Sequence, residues 1–309
     1  MYVFIVNPQA GNGRGKKVFS KIKKSRYYKQ IESTYYYTEY AGHTTHIVKK
    51  LSRESTIKAF IIIGGDGTIH EAINGLGSRN IPIAFIPGGS GNDFARGLGI
   101  KGNPVTILKE IVQHHSILSY WVGNYTLDSS IEGKYVNSVG IGFDAQIVHT
   151  ANKSFYKRVL NSVGLGTLTY VIALIHVLLH FRPMRIEMDI DHKKRTLTNC
   201  WMITTANHPY YGGGMKIIPT AKIQPNTFPI LIIHNISKWK VLALFLTVFT
   251  GKHVNFKEVE ILEATKLSIT TDEKSYIQVD GEAKFSKIIT IKKLSEPIST
   301  IATKSKQIV

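Results

Sequence analysis

The apolar run Ala59-Phe60-Ile61-Ile62-Ile63 stops at Gly64-Gly65-Asp66-Gly67-Thr68, and Ile69 to Leu76 then resumes with apolar residues at helical spacing. A continuous apolar run of this length reads as a parallel strand buried on both faces. The glycines therefore sit where a strand ends and a helix begins. Backbone N–H groups at a helix start have no intrahelical partner, and the helix dipole favours an anion there. Glycine lets the backbone approach a phosphate and take up positive φ. Asp66 does not serve that anion directly, because a carboxylate beside phosphates calls for a cation between them. A tight turn with a capping aspartate is the plainer alternative. The density of glycines after such a strand favours phosphate.

The same junction recurs on both sides of it. Residues 2 to 6 read as a strand and run into Asn7-Pro8-Gln9-Ala10-Gly11-Asn12-Gly13-Arg14-Gly15, followed by a basic helical stretch to about Lys24. This turn lacks the spacing of a P-loop and of a dinucleotide fingerprint. Ile31 to Thr38 reads as a strand, Gly42 to Leu51 as a helix and Pro82 to Ile86 as a fourth strand. The last opens into Pro87-Gly88-Gly89-Ser90-Gly91-Asn92-Asp93-Phe94-Ala95-Arg96. Alternating strands and helices predict a doubly wound parallel sheet, which places its ligands beyond the carboxyl ends of the strands. All three glycine turns fall at that edge.

The pattern changes after about residue 120. Strand-like runs at 134–140, 184–190, 196–205, 228–234, 259–271, 276–279 and 286–292 follow one another, with helical insertions around 143–181 and 238–250. We expect an α/β domain over 1–125 and a β-rich domain over 126–294. The polar segment 295–309 either frays or packs back on the first domain.

Composition narrows the partners. The net charge of +18 in 309 residues attracts anionic surfaces. No motif has base-reading or stacking spacing, so nucleic acid is not expected. The cluster Lys16, Lys17, Lys21, Lys23, Lys24, Arg26 and Lys29 reads equally as a solvated helix face. The lone cysteine, Cys200, lies in an apolar run and fits a reducing interior. The N-terminus reads as a strand and not as a signal peptide, and the apolar segment from Leu165 to Phe181 is short for a membrane span. His176 and His180 have i, i+4 spacing but no HExxH glutamate, which argues against zinc. His114-His115 read as helix-end histidines. Tyr35-Tyr36-Tyr37 read as strand residues, and Asn207 and Tyr210-Tyr211, beside Gly212-Gly213-Gly214, as loop contacts.

The Gly64–Thr68 turn with Glu71 and Asn74-Gly75, followed by the Pro87–Arg96 turn, resembles the diacylglycerol kinase catalytic domain, whose superfamily includes sphingosine and ceramide kinases. The likeness continues through Asn7-Pro8, Thr38, Gly140-Ile141-Gly142-Phe143-Asp144-Ala145, Gly212-Gly213-Gly214-Met215 and Asp280-Gly281-Glu282, nearly the whole chain. It is closest in character to soluble bacterial lipid kinases. The resemblance implies a Rossmann-like, phosphofructokinase-like nucleotide domain and a β-sandwich lipid domain with the site in the cleft between. It implies ATP contacts from Asn7, Thr38, Gly65, Asp66, Gly67, Thr68, Glu71 and Ser90, and Mg²⁺ on Asp66 and Asp93. Asp280 would be the general base on the hydroxyl of a lipid such as diacylglycerol. A neutral alcohol needs its proton accepted during phosphoryl transfer; an ordinary Asp-Gly hairpin turn is the plainer reading of Asp280. It further implies a cytoplasmic enzyme peripherally associated with an anionic membrane surface, and leaves the oligomeric state open, a homodimer being one option because relatives of this kind are often dimers.

Two departures stand out. Trp121 occupies a position where the family usually has an aspartate of the magnesium network. After Pro219-Thr220-Ala221, the acidic loop that holds a structural Mg²⁺ in close bacterial relatives reads Gln224, Pro225 and Pro229, so no structural metal is expected there. These departures motivate an alternative: a catalytically silent lipid- or nucleotide-binding member. A kinase of a soluble acceptor is a third reading.

Overall fold

A computed structural model describes residues 1–114, 116–153 and 166–301. His115 and the parts of the expected 143–181 and 295–309 segments that fall at 154–165 and 302–309 lie outside the described residues. The chain divides into two compact units, one of Met1–Trp121 with the segment that begins at Glu296, the other Val122–Ser295.

In the first unit, β1 (Tyr2–Val6), β2 (Ser33–Tyr37), β3 (Ala59–Gly64), β4 (Ile83–Pro87) and β5 (Ile117–Tyr120) join β17 (Ile298–Ile301) in one sheet ordered β2-β1-β3-β4-β17-β5. All pairs are parallel except β17 with β5. Helices α1 (Ala10–Lys24), α2 (Arg26–Lys29), α3 (His43–Leu51), α4 (Asp66–Leu76), α5 (Asp93–Gly97) and α6 (Pro104–His114) fill the connections. Every residue of β1 and β3 is buried, which is why these strands read as unbroken apolar runs. Each fully buried Val, Ile or Phe contributes about 1.5–3 kcal/mol of transfer free energy. The edge strand β2 leaves Tyr35, Tyr36 and Tyr37 exposed. There the Lys23 ammonium lies 4.4 Å from the centre of the Tyr35 ring.

The second unit is a nine-stranded sheet with three described helices. Its strands are β6 (Gly123–Leu127), β7 (Ile131–Tyr135), β8 (Ser138–Gly142), β9 (Met184–Ile190), β10 (Lys193–Ala206), β13 (Phe228–His234), β14 (Val259–Ala264), β15 (Lys266–Val279) and β16 (Glu282–Lys293). The short pair β11 (Tyr210–Tyr211) and β12 (Met215–Lys216) stands apart. The helices are α7 (Phe143–Lys153), α8 (Gly166–His180) and α9 (Lys238–Thr247). β8 and β9 share one lane between the long strands β10 and β15. Side chains from both halves of the sheet, among them Tyr135, Ile141, Ile203, Phe228, Ile269 and Ile289, meet in one core. A second core, with Phe143, Leu178, Trp201 and Leu244, lies under the helices. Cys200 is buried, and burial pushes its thiol up to about 12, as suits a core residue.

Two expected strands are each interrupted. The run 134–140 is β7 and β8 with a break at Val136-Asn137, and 259–271 is β14 and the start of β15 with a break at Thr265. In both cases an aspartate from a neighbouring turn captures the backbone amides at the break. Asp280 takes those of Val136, Asn137 and Ser138, and Asp191 takes those of Thr265 and Lys266.

Candidate active site

Parallel strands put all their carboxyl ends at one edge, and four connections of the first unit meet there. Asn7 follows β1 and donates from Nδ2 to Thr68 Oγ1 at 3.1 Å, tying the first turn to the start of α4. Its Oδ1 accepts from the amides of Gln9 and Ala10. Thr38, buried, follows β2 and is held by its amide to Val6 O at 2.9 Å. The turns after β3 and β4 touch backbone to backbone. A side-chain carbon at Gly89 would lie 2.5 Å from Gly65 Cα, and one at Gly11 would lie 2.4 Å from Gly88 O. Gly11, Asn12 and Gly13 all take left-handed φ, which curls the first turn against the third. Arg14 closes the contact from Nη1 to Gly89 O at 3.2 Å.

The carboxylates follow the same logic. Asp66 opens α4 and accepts the amide of Phe94 at 2.9 Å, so the starts of α4 and α5 are neighbours. Asp93 opens α5, is buried, and forms an ion pair with Arg96. Both lie in the first turn of a helix, where a negative charge is favoured. Gly67 and Ser90 are exposed at this edge. Glu71 is one turn further along α4, and both its oxygens cap α3, accepting the amides of Gly42 at 2.8 Å and Thr44 at 3.1 Å.

The donor set fits a hard cation carried in by phosphates. Mg²⁺ in nucleotide sites is bound through one or two carboxylates plus phosphate oxygens and water; Asp66 would be such a carboxylate, and Asp93 a second, its charge shared with Arg96. It does not fit an all-protein cage: among the described residues no group of three or more His, Cys, Asp and Glu could hold a metal. His176 and His180 stand 4.7 Å apart by ring centres, with His180 Nδ1 at 2.8 Å from His176 O. In the segment 219–229, Gln224 Nε2 donates to Thr227 Oγ1 at 2.7 Å.

Asp280 lies in the second unit, at the first position of the β15–β16 hairpin, with positive φ at both Asp280 and Gly281 as a tight primed turn requires. Its carboxylate accepts three amides, Val136 and Asn137 at 2.7 Å and Ser138 at 2.9 Å. Behind these amides sits a buried polar group that sequence reasoning resolved only as a loop contact at Asn207. The Asn207 amide donates to Val136 O at 2.7 Å and Tyr135 O at 3.3 Å, and its carbonyl accepts the Lys293 ammonium. Burial lowers Lys293 to about 8. Lys293 continues the inward face of Ile289 and Ile291 but lies one residue past the strand expected over 286–292, so its burial went unread.

Asp144, at the start of α7, was visible only as part of a shared motif. It is buried beside Gly140, accepts from Thr204 Oγ1 at 3.2 Å, and leaves Oδ1 without a hydrogen-bond partner. Burial pushes it up to about 7, against the pull of the Ala145 amide and the Thr204 and Gln278 side chains. With Phe143, Trp201, Met215, Leu244 and Phe245 it lines a small apolar pocket.

Glycine turns and two aspartates thus meet at the carboxyl edge of a parallel sheet, where such sheets bind their ligands. Comparison with known proteins agrees. Residues 1–119 match the diacylglycerol kinase catalytic domain, and residues 137–294 match the YegS C-terminal NAD kinase beta sandwich-like domain. The chain is 33% identical over 288 residues to the Bacillus subtilis protein "Putative lipid kinase YtlR", covering 91% of this chain and 93% of that one. It is 26% identical over 268 residues to a diacylglycerol kinase of Mycobacterium tuberculosis, covering 86% and 83%. A crystal structure of a diacylglycerol kinase from Bacillus anthracis str. Sterne shares its fold, with a TM-score of 0.70 at 19% identity over 100% of this chain and 98% of that one. The chain belongs to the diacylglycerol kinase catalytic domain family and is a kinase.

Proposed function

We propose that the chain transfers the γ-phosphate of ATP to a hydroxyl of a membrane lipid such as diacylglycerol. The observation that carries this reading is the packing of the Asn7, Gly65 and Gly89 turns against one another, with Asp66 and Asp93 at the adjoining helix starts. Asn7, Thr38, Gly65, Gly67, Thr68 and Ser90 would line the phosphates. Glu71 would act on ATP indirectly, by fixing the start of α3. Asp66 and Asp93 would hold Mg²⁺, which supplies charge neutralisation on the transferring phosphate.

The acceptor hydroxyl must lose a proton as it attacks. Asp280 is the proposed acceptor of that proton: its carboxylate is fixed by three amides before substrate arrives, so no reorganisation is needed at the moment of transfer. The apolar pocket beside Asp144 has the character an acyl chain requires. Lipid relatives support the acceptor class, and the charge of +18 suits an enzyme working at an anionic surface.

The test is incubation with labelled ATP, Mg²⁺ and mixed micelles of bacterial lipid, beside Asp66→Asn and Asp280→Asn. We expect a labelled lipid from the native chain, none from Asp66→Asn, and a loss of about a hundredfold or more from Asp280→Asn at unchanged ATP affinity. ATP binding without any labelled lipid would overturn the kinase reading for a silent binder, and full turnover by Asp280→Asn would remove Asp280 as the base.

A further inference from the structure

An amphipathic helix on a globular unit turns its apolar face inward. Helix α9 does so with Val241, Leu244 and the adjoining Val248, yet its outer face is apolar too. Trp239 is 81% exposed, Leu246 72% and Phe249, just past the helix, 51%. Helix α8 repeats this. Leu174, Val177 and Leu178 are buried, while Ile175 and Leu179 are 50% and 63% exposed. The two outer faces adjoin, because Lys238 Nζ on α9 donates to Leu179 O on α8 at 2.6 Å. All of these residues belong to the second unit.

The charge around the face has one sign. Segments 172–183 and 237–252 contain Arg182, Lys238, Lys240 and Lys252 and no aspartate or glutamate. Lys240 is paired with Glu258 at 2.7 Å; Arg182, Lys238 and Lys252 are exposed beside the apolar side chains. Exposed tryptophan flanked by lysines is the composition of a helix lying in the boundary between headgroups and acyl chains. A second copy of the chain suits the face poorly. An isologous contact would bring these cations against themselves, on molecules that each carry +18.

We infer that the outer face of α8 and α9 docks the enzyme on an anionic lipid bilayer. Leu179, Trp239, Leu246 and Phe249 enter the interface, and Arg182, Lys238 and Lys252 meet the headgroups. The inference rests on the lipid-kinase reading for its purpose, but docking is measured without nucleotide, so the two fail separately.

The full chain would be floated with vesicles of phosphatidylcholine alone and of phosphatidylcholine mixed with phosphatidylglycerol, while tryptophan emission is recorded. The native protein should float with the mixed vesicles and shift its emission to the blue. The Trp239→Ser, Leu246→Ser, Phe249→Ser triple variant should lose at least about tenfold in vesicle affinity and keep its melting temperature and its turnover of micelle-dispersed lipid. Lys238→Glu with Lys252→Glu should lose about fivefold per lysine on mixed vesicles only. Undiminished flotation of the triple variant overturns the inference. So does a native dimer that this variant dissociates without loss of vesicle binding, which would assign the face to a second copy. Flotation without phosphate transfer would sink the kinase reading and leave docking standing.

Discussion

Replacing Asp144 with asparagine isolates what it takes to bury a carboxyl group in the second unit. The group is 4% exposed, with one oxygen bonded to Thr204 and Gln278 and the other without a partner. Burial moves it from 3.8 to about 7, so ionising it in the folded chain is harder by something on the order of 4 kcal/mol. The folded state holds a proton that the unfolded state has released, so stability falls as pH rises from near 4 to near 7 and is level above that. Asparagine has the same shape and no charge. It fits the same space against Gly140, whose lack of a side chain makes room for the group: a carbon added at Gly140 would lie 1.9 Å from Asp144 Oδ2. Native and Asp144→Asn proteins should therefore be nearly equal in stability below about pH 4, with the variant gaining up to about 4 kcal/mol by about pH 8. Urea titrations across that range measure it. A difference between the two proteins that does not change with pH would refute a protonated Asp144.

Three further substitutions separate contact from conformation in the first unit. Gly89→Ala drives a carbon to 2.5 Å from Gly65 Cα; it should cost about 1–3 kcal/mol of stability and most of the nucleotide affinity, measured by denaturation and calorimetric titration, whereas Gly67→Ala meets nothing within 4 Å and should fold normally. Glu71→Ala strips two amides of their acceptor at the start of α3; it should cost about 1–3 kcal/mol and speed amide exchange at Gly42 and Thr44, and unchanged exchange there would show that Glu71 does not hold α3.

What the sequence could tell about this fold follows from which forces are local. β1, β3 and β4 were legible because a strand covered on both faces needs side chains of one kind, and the turns after them because backbone contact there admits only glycine. The edge β5 and the insertion of β17 between β4 and β5 were not. Ile298-Ser299-Thr300-Ile301 is short and half polar, and it gains its place from partners far away in the chain. The break at Thr265 was illegible for the same reason, since it is imposed by Asp191, 74 residues away, while at Val136-Asn137 only Asn137-Ser138 hinted at a turn. At the site, the residue types and turns were legible, but the use of Glu71 as a cap, the burial of Lys293 and the solitude of Asp144 Oδ1 arise only from packing.

Those breaks also bear on how Asp280 is to be tested, because Asp280 is one of three aspartates built alike. Asp128, Asp191 and Asp280 each begin a tight turn with φ of 45°, 48° and 49°. Each donates its own amide to a neighbouring strand, at Ile288 O, Lys266 O and Ser138 O. Each then accepts amides of that neighbouring segment with its carboxylate. Anchoring is therefore a general device of this sheet, and by itself no mark of catalysis. Asn at Asp280 or Asp191 would set an NH₂ group against a backbone N–H, costing about 1–3 kcal/mol, whereas Asp128 takes both its amides on Oδ1, so Ala is the matched loss there. If Asp280 served only as an anchor, Asp128→Ala and Asp191→Asn would lower turnover in proportion to stability, as Asp280→Asn does. If it accepts the substrate proton, the three variants should lose similar stability while turnover collapses in Asp280→Asn alone. Equal losses of turnover across the three would refute the base. What sets Asp280 apart structurally is the Asn207–Lys293 pair behind the amides it binds, a buried polar support for which no counterpart is seen behind Asp128 or Asp191 among the described residues.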